Sequence, residues 1–312
     1  MRHLLRLAAL VALLAAGPAA AADKLTVLLD WFVNPDHAPL IVAKEGGYFA
    51  RAGVYVTLIA PADPSAPPRL VAAGQGDIAI TYQPDLMLQV KEGVPLVRFR
   101  TLVETPLNSL IVLRDGPVKS LADLKGKRIG YSVASFQEAY LSAVLASVGL
   151  SAKDVTLVNV NFNLVTALLS GQVDAALDGY RNFELTQLEL EGRPGIAFYP
   201  EEHGVPVYDE LIYVTRTALR DDPRLRRFID AIEQATIFIT NHPDEAKAMF
   251  LKSTPALAEE LSRRAFDLTW PRFAKSPAAL DEGRYRRFPQ FLKEKGLLDT
   301  VPPIDTYAIV PK

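Results

Sequence analysis

The 312 residues contain no cysteine. That excludes a disulfide framework, so an apolar core alone must hold the chain, and about 290 residues can bury one easily. The same lack removes the acceptor for a lipid anchor. A surplus of one charge is missing as well: 34 Lys and Arg stand against 36 Asp and Glu, a formal net charge of −2. Nothing in that balance draws the chain to nucleic acid or to a membrane surface. Beyond Ala22 no apolar run approaches the roughly 20 residues of a membrane span. Metal-ligand spacing is also lacking, since His37 stands far from His203 and His242. No nucleophile is spaced with a base, so nothing marks a catalytic pair.

What is there begins with residues 1–22, which read as an export segment. Arg2 and Arg6 form a basic start, Leu7 to Ala16 an apolar stretch, and Gly17-Pro18 a break. Ala20-Ala21-Ala22 then offers a small-residue cleavage site before Asp23. A cleaved signal without an anchor points to a soluble periplasmic protein.

The stretch around which the chain is organised follows at once. Leu25 to Leu29 reads as a buried strand, stopped by Asp30, Trp31, Phe32, Asn34, Pro35, Asp36 and His37. Apolar residues then resume as a helix from Pro39 to Glu45. A turn at the carboxyl end of a strand in an α/β sheet is where ligands bind. Further strands are expected at Tyr55–Ile59, Ile78–Ile80 and Leu96–Val103. The second half repeats the plan with strands Lys127–Tyr131, Thr156–Val160 and Ala175–Leu177, and helices Gln137–Ser147 and Leu164–Leu169.

The repeat is visible in the letters. LVAAGQGDIAITY (70–82) and ALLSGQVDAALDGY (167–180) share a helix, a Gly-Gln-x-Asp turn, a short apolar strand and a terminal Tyr. The Gly of each turn should end its helix in the left-handed conformation. Two α/β lobes of about 100 residues follow. We expect lobe 1 to hold 23–107 and 211–312, and lobe 2 to hold 108–210, with crossings at Asn108–Leu113 and Glu210–Thr215. From Asp222 onward the chain reads as helices that return to lobe 1.

If the lobes face each other, Trp31, Tyr82 and Tyr180 line one cleft, where aromatic surface can stack on a planar ring. Asp30, Asn34, Gln83, Asn182 and Glu184 supply donors and acceptors in the ring plane, a pattern suited to an amino-substituted heterocycle. Asn108 and Ser132 at strand boundaries and Tyr208 at the return crossing complete the candidate set. Arg181 either meets an acidic group of the ligand or is solvated. Asp30 has a rival role as a helix cap.

The stretches DWFVNPDHAPLIVAKEGGYFARAGV, LVAAGQGDIAITYQPDLML, ALLSGQVDAALDGYRNFE and YPEEHGVPVYDELIYV resemble the thiamine-precursor superfamily. It includes periplasmic formylaminopyrimidine-binding proteins of ABC importers and eukaryotic hydroxymethylpyrimidine synthases. The resemblance implies a type II periplasmic-binding-protein fold with the ligand between the lobes. It also implies Trp31 and Tyr180 as ring stackers, Asn34 and Glu184 as polar contacts, and His37 beside the pocket. The synthases carry a Cys-rich motif for iron and a Gly-rich phosphate loop. Neither is present here, where the matching loop reads Tyr131-Ser132-Val133-Ala134-Ser135-Phe136. That leaves room for an anion at the next helix start, assisted by Ser132 and Ser135.

The expected function is therefore a monomeric solute-binding protein that delivers a small heterocycle to the permease and ATPase of an ABC importer. No cofactor, metal or catalytic residue is expected. Alternatives are a flavin or flavin-precursor binder, a sulfonate binder relying on backbone N–H groups and Arg, and an enzyme of the synthase type. Because no thiol is present, the thermal midpoint should be the same with and without reductant; a shift would contradict a disulfide-free core.

Overall fold

The computed structural model describes residues 23–133, 137–276 and 279–311. The expected export segment, 1–22, and Ser135 lie outside these residues. Ten strands form where short apolar runs meet polar turns: β1 (Asp23–Leu28), β2 (Val54–Ile59), β3 (Ile78–Thr81), β4 (Leu96–Val103), β5 (Asn108–Leu113), β6 (Arg128–Tyr131), β7 (Thr156–Asn159), β8 (Ala175–Tyr180), β9 (Gly195–Phe198) and β10 (Leu211–Arg216). They make two five-stranded sheets, ordered β2-β1-β3-β10-β4 and β7-β6-β8-β5-β9.

The two orders are the same. In each sheet the first three strands run parallel, and the fourth runs antiparallel to both its neighbours. That fourth strand is a crossing segment: β5 enters the second sheet directly after β4 leaves the first, and β10 returns. The internal repeat has a structural reason. Gly74 and Gly171 end their helices at φ +81° and +70°, a region open to Gly without a Cβ clash. In each turn the Asp carboxylate then accepts a backbone N–H from the neighbouring parallel strand, Thr26 to Asp77 at 2.8 Å and Arg128 to Asp174 at 2.9 Å.

One difference separates the copies. Five residues lead from Asp77 to Tyr82, but six lead from Asp174 to Tyr180. The extra residue is a β-bulge: Ser109 faces Gly179 and Ile111 faces Ala176, so Leu177 and Asp178 together oppose Leu110. Asp178 takes φ +65° there.

The C-terminal helices pack back on the first sheet as expected. Pro223–Asn241 starts on Asp222, whose side chain accepts the Arg224 N–H, and buries Leu225, Phe228, Ile229 and Ile232. A second apolar cluster is continuous from Ala79, Leu96 and Ile212 in the first sheet to Leu110, Val112 and Ile129 in the second. The third C-terminal helix is Glu260–Thr269, preceded by a separate 3-10 turn at Pro255–Ala258. It also meets the helix Glu184–Leu190 of the second sheet.

That helix and β9 carry no sequence mark. Glu184–Leu190 starts after Phe183, which offers no side-chain cap, and β9 is four half-buried residues without alternation.

A Cβ on Gly179 would lie 2.5 Å from Cδ1 and 3.0 Å from Cγ1 of Ile111, which is fully buried. Gly179→Ala should therefore cost about 1–3 kcal/mol through overpacking. Urea unfolding measures this, and an unchanged midpoint would show that the bulge has room to spare.

Candidate functional site

The loop after β1 is shaped by its own side chains. Asn34, on extended backbone, accepts the Asp36 N–H at 2.8 Å, and its own N–H donates to His37 Nδ1 at 3.2 Å. This reciprocal cap fixes the 3-10 turn Pro35–His37. Since Nδ1 is an acceptor, the ring carries its proton on Nε2 and donates it to Asp30 Oδ1 at 2.9 Å. The other Asp30 oxygen accepts the Tyr82 hydroxyl at 3.1 Å. Asp30 is thus a held carboxylate and not a helix cap.

The cleft between the sheets encloses about 580 Å³ of space open to solvent. Trp31 stands at its edge, its ring 4.5 Å from that of Phe162 at an angle of 65°. Phe32 reaches Phe183 at 5.9 Å. Loops of both sheets therefore build one aromatic rim. Below it, Asn182 Nδ2 donates to Asp36 Oδ1 and to Thr269 Oγ1, both at 2.7 Å. Opposite sides of the cleft touch through that amide.

Six carboxyls line the cleft: Asp30, Asp36, Asp85, Asp178, Glu184 and Glu210. None of the described lining residues is Lys, Arg or His. Most of these acids are supplied with donors. Asp178 Oδ2 accepts the N–H groups of Ser132 and Val133 at 3.0 and 3.1 Å. Glu184 Oε2 accepts the Tyr180 N–H at 2.7 Å. Glu210 Oε2 accepts the N–H groups of Leu107 and Asn108 at 2.6 and 2.9 Å, and Oε1 the Tyr180 hydroxyl at 3.2 Å. Even so, desolvation wins. Burial pushes Asp36 to about 6, Glu210 to about 7 and Glu184 to about 8, and it raises Asp178. Among the lining residues, the buried acceptors Asp36 Oδ2 and Asn108 Oδ1 have no hydrogen-bond partner.

Of the residues singled out from sequence, Asp30, Trp31, Asn34, Tyr82, Asn108, Ser132, Tyr180, Glu184 and Tyr208 line this cleft. Tyr82 follows β3 and Tyr180 ends β8, the equivalent strands of the two sheets. Three residues sit behind the wall. His37 is fully buried and spends both ring nitrogens on Asn34 and Asp30. Gln83 is fully buried, its Oε1 accepting the Asp209 N–H at 2.8 Å. Asn182 is turned toward Asp36 and Thr269. His37 and Asn182 hold lining residues, Asp30, Asn34 and Asp36, while Gln83 holds the Asp209 backbone just before Glu210.

Arg181 is neither a ligand contact nor solvated. Its guanidinium donates to the carbonyls of Leu107 and Asn108 and to Glu201, over the Tyr199 ring. The expected helix-start anion involves Ser135, outside the described residues; of the loop before it, the Ser132 and Val133 amides hold Asp178. Sequence reasoning missed Asp36, Asp85, Val133, Asp178 and Phe183 as lining, and left Glu210 between the cleft and the crossing; it lines the cleft. The extra residue before Tyr180 was the one available sign for Asp178.

The NMT1/THI5-like family model matches residues 34–246. This chain belongs to that family. It is 47% identical over 293 residues to a Haemophilus influenzae protein named for thiamine biosynthesis, covering 94% of this chain and 93% of the other. It is 34% identical over 233 residues to the formylaminopyrimidine-binding protein of Halalkalibacterium halodurans, covering 74% and 71%. Relatives at 24–29% identity are named 4-amino-5-hydroxymethyl-2-methylpyrimidine phosphate synthase. The alkanesulfonate-binding protein of Xanthomonas axonopodis pv. citri shares the fold at TM-score 0.73 and 18% identity, covering 93% of this chain and 99% of that one. The type II periplasmic-binding-protein fold, two α/β lobes about a cleft, is therefore the fold of this NMT1/THI5-like chain. No helix among its described residues is long and apolar enough to cross a membrane.

The raised acids give this NMT1/THI5-like protein an unusual pH response. Asp36, Glu210 and Glu184 bind protons in the folded state up to about 6, 7 and 8, whereas the unfolded chain releases them near 4. The folded state thus holds the excess protons, and stability is fully present below about 4 and lost as pH climbs through 8. The ligand-free melting temperature should fall between pH 5 and pH 8, and Glu184→Gln should flatten part of that slope. A flat or rising profile would mean these carboxyls are ionised without penalty.

Proposed function

We propose that this protein is the periplasmic solute-binding component of an ABC importer for a thiamine pyrimidine precursor, either formylaminopyrimidine or hydroxymethylpyrimidine. The observation that carries this reading is the cleft lining: six carboxyls, no cation, and aromatic surface from both sheets. Such a lining favours a flat ligand with amino groups and repels anions. The free oxygens of Asp36 and Asn108 are acceptors waiting for N–H donors. The formylaminopyrimidine-binding relative supports the ligand class. A sulfonate would bring negative charge among six acids, so the sulfonate-binding neighbours support the fold and not the ligand.

In this reading the lobes are 23–107 with 211–312, and 108–210. They close about the segments leading to β5 and β10, bury the ring, and present a closed face to the permease. Trp31 and Tyr180 stack on the ring while Glu184 and Asn34 meet its polar edge. No catalytic step is assigned to Glu184 or His37, and the His37 ring is committed to holding Asp30.

Glu184→Gln tests the polar edge. The single amide oxygen must take over the Tyr180 N–H, so the atom facing the cleft becomes a permanent NH2 donor, whereas the acid can give up its proton and accept from a ligand amino group. Binding of hydroxymethylpyrimidine should weaken by about 1.5–3 kcal/mol, roughly ten- to a hundredfold in Kd. An analogue without the amino group should lose much less, whereas Trp31→Ala should weaken both. Calorimetry separates the cases, and equal losses for both ligands on Glu184→Gln would remove Glu184 from the site.

A further inference from the structure

Two consecutive backbone N–H groups at the end of a parallel strand form an anion-binding concavity. Such a pair follows β6, at Ser132 and Val133, and it opens on the cleft. The anion it holds belongs to the chain itself. Asp178 Oδ2 accepts both N–H groups, at 3.0 and 3.1 Å, and Asn108 Nδ2 lies 3.4 Å from Oδ1.

Reaching this position takes a local rearrangement. Asp178 belongs to the one-residue bulge of β8 and adopts φ +65°, a left-handed conformation uncommon outside Gly, Asn and Asp. The equivalent strand in the other sheet is regular: Thr81, Ile80 and Ala79 face Ile212, Tyr213 and Val214 without a register shift. Bulges re-aim side chains beside functional sites. Here the effect is to insert a carboxylate into an amide nest that would otherwise face the ligand. Next to it, Asn108 is 6% exposed and keeps Oδ1 without a partner, so the atom left for a ligand at this end of the cleft accepts hydrogen bonds.

We propose that Asp178 is a specificity-determining residue that makes the cleft refuse phosphorylated ligands, by occupying the Ser132–Val133 amide pair with an internal anion. A phosphomonoester would have to displace that carboxylate and then sit among the remaining acids with no cation to offset its charge. The unphosphorylated heterocycle meets neither obstacle. This rests on the heterocycle reading above, but the state of the amide nest can be tested without it.

Asp178→Gly empties the nest, and Gly adopts φ +65° without strain, so the variant should fold, as a thermal melt will show. Asp178→Ala empties it as well and serves if the Gly variant does not fold. Three probes are titrated by calorimetry at pH 6: 4-amino-5-hydroxymethyl-2-methylpyrimidine, its phosphate ester, and inorganic phosphate. At that pH, Glu184 and Glu210, raised to about 8 and about 7, are largely protonated and add little repulsion.

The wild type should bind the alcohol at least about a hundredfold tighter than the ester, and phosphate not at all. Asp178→Gly should narrow that ratio by about tenfold or more (1.4 kcal/mol) and gain phosphate binding that competes with the ester. A wild type that binds ester and alcohol alike would overturn the proposal. So would an emptied nest that rejects the ester and phosphate as strongly as the wild type does. If the wild type binds neither pyrimidine, the heterocycle reading falls, and the phosphate titration of the two proteins still decides what Asp178 does.

Discussion

The Glu210 carboxylate lies where the chain passes between the sheets for the second time and grips the place where it first passed. Oε2 takes the N–H groups of Leu107 and Asn108, the residues that lead into β5, and Oε1 takes the hydroxyl of Tyr180 at the end of β8. A single side chain thus joins both crossings to the cleft. Arg181 works from the other side, donating to the carbonyls of the same two residues. The backbone of the first crossing is satisfied by one acid and one base, neither of them in a regular ladder. A crossing needs this arrangement, since its residues cannot form sheet hydrogen bonds in both lobes and would otherwise carry unpaired polar groups.

That economy sets the character of the cleft. Arg181 is spent on the hinge and on Glu201, so its charge is not available to a ligand. Glu210 and Asp178 are spent on amides. What remains exposed to a bound molecule is acceptor oxygen and aromatic surface. Hydrogen bonds from backbone N–H groups lower the pKa values of Glu210 and Glu184, yet desolvation outweighs them. Burial thus shifts these acids toward their protonated form, against the pull of the amides.

Much of this was legible from the letters, and the reason is the duplication. The Gly-Gln-x-Asp turns need Gly for a positive φ and Asp for a strand amide, so their residues are fixed by local physics and survive in both copies. Tyr82 and Tyr180 then follow from strand length. The buried face of Pro223–Asn241 follows from apolar periodicity. What was not legible depends on contacts between distant segments. No local pattern says that Asn182 turns to Asp36 rather than to a ligand, or that Gln83 caps the Asp209 amide. The resemblance implied His37 beside the pocket, where it lies; its role as the acceptor for the Asn34 N–H appears only once the turn is folded. The helix at Glu184 begins without a cap, because its first carboxylate faces Tyr180.

Asp30 and Asp178 show how the two lobes reach different ends from one plan. Each is a carboxylate at the carboxyl end of a strand, in a sheet of the same order. Asp30 is held by side chains, His37 and Tyr82, one from its own loop and one from the neighbouring strand's end. Asp178 is held by backbone amides. A carboxylate on side-chain donors can reorient when a ligand competes for it, since the Tyr82 hydroxyl is free to rotate about its C–O bond. One on two consecutive amides is fixed in direction as well as position. The first lobe thus keeps an adaptable acid beside its aromatic edge, and the second an immobile one across from it. One strand-end position thus serves as an orientable acceptor in one lobe and as a fixed one in the other.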